Sequence, residues 1–131
     1  MSAPYKPDGY PSLAPYVVAD GAQRVIDFAA AAFGATTARR FDHPDGSVMH
    51  AELRVDDTVV MLTDGTADFP AFPAWFHLYV PDVDAAYERA LAAGGQSVQA
   101  PKQKDDPDRR GGVLDPAGNT WWIATQVGAP E

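Results

Sequence analysis

The 131-residue sequence predicts an α+β fold made of two tandem βαβββ modules within one domain. Three observations carry this reading. Alternating and aromatic runs bounded by turn residues read as strands, and two amphipathic segments read as helices. The order strand, helix, strand, strand, strand occurs twice. The halves also echo each other at an offset of about 61–62 residues: YVVADGA against YVPDVDA, FGA against AGG, and TVVMLT against TWWIAT.

Residues 1–12, rich in Pro, Gly and Tyr, read as an extended N-terminal arm. The first module covers 13–64. LAPYVVAD (13–20) is its first strand. GAQRVIDFAAAAFGA (21–35) is its helix, with Ala22, Val25, Ile26, Ala29 and Phe33 at helical spacing and Gly34 as C-cap. TTARRFD (36–42) is a strand and HPDG (43–46) a turn that exposes His43. SVMHAELRV (47–55) alternates, with Met49, Ala51, Leu53 and Val55 on one face and His50, Glu52 and Arg54 on the other. Two aspartates turn the chain into TVVMLTD (58–64).

Residues 65–74, GTADFPAFPA, form a linker, and the second module covers 75–127. WFHLYV (75–80) is its first strand. DVDAAYERALAAGG (82–95) is its helix, with Asp82 as N-cap and glycines at its end. QSVQA (96–100) is a short strand. PKQKDDPDRR (101–110) reads as a polar loop with the composition of a lid. GGVLD (111–115) and NTWWIATQV (119–127) form the last hairpin, and Asp115, Pro116 and Gly118 set its turn.

Composition narrows the function classes. Net charge is −8 with a pI near 4.6. That balance lacks the basic surface that phosphate neutralisation requires, so no nucleic-acid partner and no anionic membrane partner are expected. No apolar run is long enough to cross a bilayer, and the proline-rich start does not read as a signal peptide. A cytoplasmic location is expected. The absence of cysteine removes disulfides, thiolate metal ligands and a thiol nucleophile. No phosphate-binding glycine loop and no Ser-His-Asp arrangement is readable.

The segments PYVVADGAQRVIDF…AFGA (15–35), VMHAELRVDDTVVMLTD (48–64), HLYVPDVDAAYERALAAGG (77–95) and DRRGGVLDPAGNTWWIAT (108–125) resemble the vicinal oxygen chelate superfamily. This is the group of glyoxalase, bleomycin resistance and extradiol dioxygenase proteins. HAEL and DPAGNTWW resemble its small bacterial glyoxalase-like branch, related to phosphonate-operon accessory proteins. The resemblance implies an eight-stranded, incompletely closed sheet with helices on its convex side and a cleft on its concave side. It also implies a homodimer.

Metal-dependent members of that superfamily hold one divalent ion with His, Gln or Glu from the first and last strand of each module. Carried over, those positions fall on Ala14, Met61, Trp75 and Trp122, none of which ligates a hard cation. The usual metal-dependent glyoxalase or dioxygenase chemistry is therefore not expected, and no cofactor is expected. Two readings of the polar residues stay open. His50, Glu52 and His77 could hold a displaced divalent metal, or His50 and Glu52 could act as acid and base; alternatively they are wall residues making local hydrogen bonds.

Strand parity assigns Val17, Met49, Leu53, Val60, Leu62, Phe76, Leu78, Val80, Trp121 and Ile123 to the core. It assigns Tyr16, Val18, His50, Glu52, Arg54, Met61, Trp75, His77, Tyr79 and Trp122 to the cleft. That second set suits a small-molecule pocket with apolar walls and few polar groups. Alternatively Trp75, Met61 and Trp122 simply fill the space of the missing metal. Arg54 is expected to pair with Glu52 or neighbour His50 in a structural role, rather than to bind a ligand's carboxylate or phosphate; Arg39, Arg40, Arg109 and Arg110 are expected to be solvated. The function expected is binding of a small aromatic or amphipathic molecule in a metal-free cleft. The alternative is a lyase, isomerase or dioxygenase of the same superfamily.

Overall fold

Each half of the chain forms one four-stranded mixed sheet in the computed structural model, which describes residues 3–130; positions 1 and 2 of the arm and position 131 lie outside it. The elements are β1 (Tyr16–Ala19), α1 (Ala22–Phe33), β2 (Thr36–Asp42), β3 (Val48–Val55), β4 (Thr58–Asp64), β5 (Trp75–Tyr79), α2 (Val83–Ala92), β6 (Gln96–Gln103), β7 (Asp108–Leu114) and β8 (Thr120–Gln126). The sheets run β1-β4-β3-β2 and β5-β8-β7-β6, so neither closes on itself. In each, the first strand is parallel to the last and the remaining neighbours are antiparallel. The duplication is exact in register: Tyr16 pairs with Met61, and His77 with Trp122, each member 61 positions after its counterpart.

Local chemistry accounts for most boundaries. Gly34 ends α1 at φ 70, and the N–H groups of Gly34 and Ala35 return to the carbonyls of Ala30 and Ala29. Asp82 caps α2 by accepting from the Ala85 N–H at 3.1 Å. Helix α1 has no acid in its own first turn. Asp64, at the end of β4, supplies one: Oδ1 accepts from the Ala22 N–H and Oδ2 from the Val48 N–H, both at 2.7 Å. One carboxylate thus ties the helix start to two strands. The two-residue turn between β3 and β4 places Asp56 at φ 52, a conformation aspartate tolerates better than most residues.

The helical sides of the sheets hold the core and join the modules. Trp121 stacks on Phe76 with ring centroids 4.2 Å apart and also meets Phe33 and Phe28 of α1 at 5.1 and 6.0 Å. The Arg89 Nε–H donates to the Ala32 carbonyl at 3.0 Å, and the Arg24 Nη1–H to the Pro116 carbonyl at 3.1 Å. Val17, Leu53, Val60, Leu62, Trp121 and Ile123 are buried as parity predicts, and Phe76, Leu78 and Val80 pack partly buried against them.

Four expectations change. Met49 is outside the core at 45% exposure. The β2–β3 register shifts between Phe41–His50 and Asp42–Val48, so an extra residue at Met49 bulges and Val48 enters the core instead. The polar segment 101–110 is not a lid: β6 runs to Gln103 and β7 starts at Asp108, leaving a short turn. Strand β1 starts at Tyr16, so Ala14 precedes it, whereas Trp75 is the first residue of β5 and pairs with Thr120. Finally, the arginines expected to be solvated are all engaged with carboxylates.

Candidate functional site

The cleft residues fall into two half-sites, one on each sheet. Their source is the alternation of β1, β3 and β4 in the first module and of β5, β7 and β8 in the second.

In the first, Glu52 is buried at 4% exposure and bonded on both oxygens. Oε1 accepts from the Tyr10 O–H at 2.6 Å, and Oε2 lies 2.7 Å from His50 Nε2. A carboxylate only accepts, so Nε2 carries the proton, and in the neutral ring Nδ1 then accepts from the Tyr16 O–H at 3.0 Å. The result is a hydrogen-bonded line Tyr10–Glu52–His50–Tyr16. Arg39 approaches Glu52 at 3.8 Å and lies over the Tyr10 ring. Arg54 does not pair with Glu52. Its Nη1–H donates to the Gly9 carbonyl at 3.1 Å, and its guanidinium lies 5.7 Å from the Tyr10 ring centroid. Met61 stands directly across from Glu52 on β4.

Burial pushes the Glu52 carboxyl up, but hydrogen bonds from Tyr10 and His50, with the charge of Arg39, outweigh it and leave its pKa below the ordinary Glu value. The same bond raises the Tyr10 phenol, which donates to a carboxylate. A carboxyl with a lowered pKa in the folded state stabilises the fold above the unfolded value, about 4.3, and loses that contribution as pH falls through the lowered one. The melting-temperature gap between wild type and Glu52→Gln is therefore expected to be largest near neutral pH and to shrink below roughly pH 4. A gap independent of pH in circular dichroism melts would remove this role.

The second half-site is aromatic. Trp75 and Trp122 meet edge-on, with centroids 5.6 Å apart and planes at 67°. Trp75, on the edge strand β5, is 74% exposed. Trp122 lies across its strand neighbour Gly112: a Cβ there would sit 2.6 Å from Cζ3 of the indole. Glycine is thus the residue that lets the ring lie flat on the sheet. Beside it, Gln99, Lys102, Lys104, Arg110 and Trp122 line a hollow of about 240 Å³.

His77 meets Tyr79 edge-on at 4.8 Å, and its Nε2 accepts from the Arg110 Nε–H at 3.0 Å. Arg110 also binds Asp106 and Asp108, and the Tyr79 O–H donates to Asp108 at 2.7 Å, which raises the Tyr79 pKa.

His50 and Glu52 are brought together as expected, and Tyr16 joins them. His77 is not brought to them; it belongs to the other half-site, and no hydrogen bond or ion pair among the described residues links the two. The Nε2 of His50 faces Glu52 and the Nε2 of His77 faces a guanidinium, so neither presents that nitrogen to a cation. Among the described residues no group of three or more His, Cys, Asp or Glu is placed to hold a metal ion. With Ala14, Met61, Trp75 and Trp122 at the four carried-over positions, these residues do not fit the divalent ion of metal-dependent relatives. Met61 lies on a different sheet from Trp75 and Trp122.

Sequence reasoning missed Tyr10, Arg39, Asp108 and Gly112. The signal for Gly112 was present, since the last hairpin places a glycine opposite a tryptophan. Tyr10 had none: its contact spans 42 residues of chain.

Two pseudo-symmetric βαβββ units, fastened through their helical sides and carrying polar and aromatic groups on the opposite strand faces, define a paired-module protein. Residues 13–123 match the Glyoxalase/Bleomycin resistance protein/Dioxygenase superfamily, and the chain belongs to that superfamily. An uncharacterized protein of Mycobacterium bovis is 39% identical over 128 residues, covering 89% of this chain and 84% of its own length. The crystal structure of TioX from Micromonospora sp. ML1 superposes with a TM-score of 0.73 at 22% identity, over 87% of this chain and 97% of that one. TnmS3, an antibiotic binding protein from Streptomyces sp. CB03234, superposes with a TM-score of 0.69 at 21% identity, over 88% and 97%. At these identities both structures speak to the fold.

Proposed function

We propose that the protein binds a small aromatic or amphipathic molecule on its strand faces, without a metal, as a cytoplasmic homodimer. The observation that carries this is the Trp75–Trp122 pair. An exposed indole stands edge-on to one laid flat on Gly112, beside Gln99 and Lys102, and this offers a π-face with few orienting polar groups. The antibiotic-binding neighbour TnmS3 has the same fold and supports a sequestering role. Solvent-exposed Tyr16, Phe41, Trp75 and Tyr79 on otherwise open sheets support a second copy completing each half-site. No helix among the described residues is long and apolar enough to cross a membrane.

Acridine, a planar aromatic probe, is expected to bind the EDTA-dialysed protein in isothermal titration, and Trp122→Ala to weaken it at least tenfold. Equal binding by Trp122→Ala would overturn the reading. Light scattering should give twice the chain mass.

The Glu52–His50–Tyr16 line favours one second reading, an acid–base enzyme of the same superfamily. Glu52 orients His50 and fixes its tautomer, which leaves Nδ1 as the proton acceptor. Any turnover found should then fall by 10²–10⁴-fold in His50→Ala.

A further inference from the structure

We propose that the groove between the two modules is a second binding site, for an amphipathic carboxylate whose head is held by Arg54 and Arg89. The groove encloses about 840 Å³, a volume within the range of small-molecule sites. It does not include the Trp75–Trp122 pair: the C-terminal end of α1 and the β3–β4 turn form one side, and the end of β5, including Tyr79, with α2 forms the other. Phe33, Val55 and Leu78 supply apolar walls.

Charge pairing singles out this groove. The chain has seven arginines in an excess of acid. Five of them, Arg24, Arg39, Arg40, Arg109 and Arg110, form ion pairs with carboxylates. Among the described residues the two that do not are Arg54 and Arg89, and both line the groove.

Each is also anchored to the backbone with donors to spare. Arg89 spends its Nε–H on the Ala32 carbonyl, and Arg54 spends an Nη1–H on the Gly9 carbonyl. Each guanidinium has five N–H donors, so most stay available for a carboxylate. Fixing the side chains in advance lowers the entropy cost of capturing an anion. The groove has one acidic lining residue, Asp56, which forms no ion pair with either arginine and leaves the balance positive. An apolar wall beside two fixed cations selects an acid with an apolar body over a free anion or a neutral hydrocarbon.

Decanoate is the probe, with 1-decanol as its uncharged match, both titrated calorimetrically into the full chain. Decanoate is expected to bind, to weaken with added salt and to bind at least tenfold tighter than the alcohol. Arg89→Gln should weaken it at least tenfold while acridine binding stays unchanged, and Arg89→Lys should restore part of the loss. Trp122→Ala should leave decanoate binding within twofold of wild type. If Arg89→Gln proves unstable in a thermal melt, Thr36→Trp, which fills the groove from an exposed position on its wall, serves the same purpose. No binding of decanoate, or full binding by both groove variants, overturns the proposal. Loss in Trp122→Ala with retention in Arg89→Gln places the acid on the aromatic face, which overturns the groove site and leaves the aromatic-binding function standing.

Discussion

Asp115→Ala is expected to destabilise the fold by about 3–5 kcal/mol and to lower its melting temperature by on the order of 10 °C. Asp115 is 3% exposed and accepts four hydrogen bonds. Oδ1 takes the N–H groups of Ala117 and Asn119 at 2.8 and 3.0 Å; Oδ2 takes Asn119 Nδ2 and Trp121 Nε1 at 3.1 and 2.9 Å. Alanine strands all four donors, two of them on buried side chains. The damage spreads because Asn119 Oδ1, held in place by that carboxylate, accepts from the Ala74 N–H at 2.9 Å where the chain enters β5. Asp115→Asn should cost less but more than half as much, since its amide turns a donor toward donors. Urea melts of the three proteins decide it: a loss under about 1 kcal/mol for Asp115→Ala would refute the account.

Trp121→Ala is expected to cost a comparable 3–5 kcal/mol, for a different reason. The indole is 2% exposed and contacts Phe76 of its own module and Phe28 and Phe33 of the other. Its removal leaves a cavity at the joint and takes one of the two donors from Asp115 Oδ2, which keeps Asn119 Nδ2. Trp121→Phe keeps a ring but loses the Nε1–H bond, and should cost about 1–3 kcal/mol. Asp115→Ala and Trp121→Phe delete the same bond, so their effects should combine to less than their sum by about 1 kcal/mol. Strict additivity in a double-mutant cycle would mean the bond contributes nothing.

The parts of the fold that were legible are those whose cause is local. Gly34 and Asp82 announce helix ends within a few residues, and the two aspartates between β3 and β4 announce a hairpin. Strand parity separates Trp121 from Trp122, one buried and one laid along the open face. The parts missed have distant causes. Asp64 caps α1 from 42 positions away, and Tyr10 reaches Glu52 across the same span. The Met49 bulge depends on how β2 pairs with β3. Segment 101–110 hid two strand ends because β6 is an edge strand whose exposed residues need no apolar alternation. Parity put the candidate cleft residues on the strand faces as one set, and the structure carries them on two sheets. Nothing in parity tells whether two sheets in one chain turn those residues toward a common space.

The modules are clasped back to back, through Trp121 with Phe28 and Phe33 and through the Arg89 and Arg24 bonds, and none of these contacts uses a side chain from the open strand faces. The joint between the modules and the Trp75–Trp122 pair thereby occupy opposite surfaces of the second sheet. Substitutions at Trp75 or Trp122 can therefore change that open face without touching the joint built on Trp121.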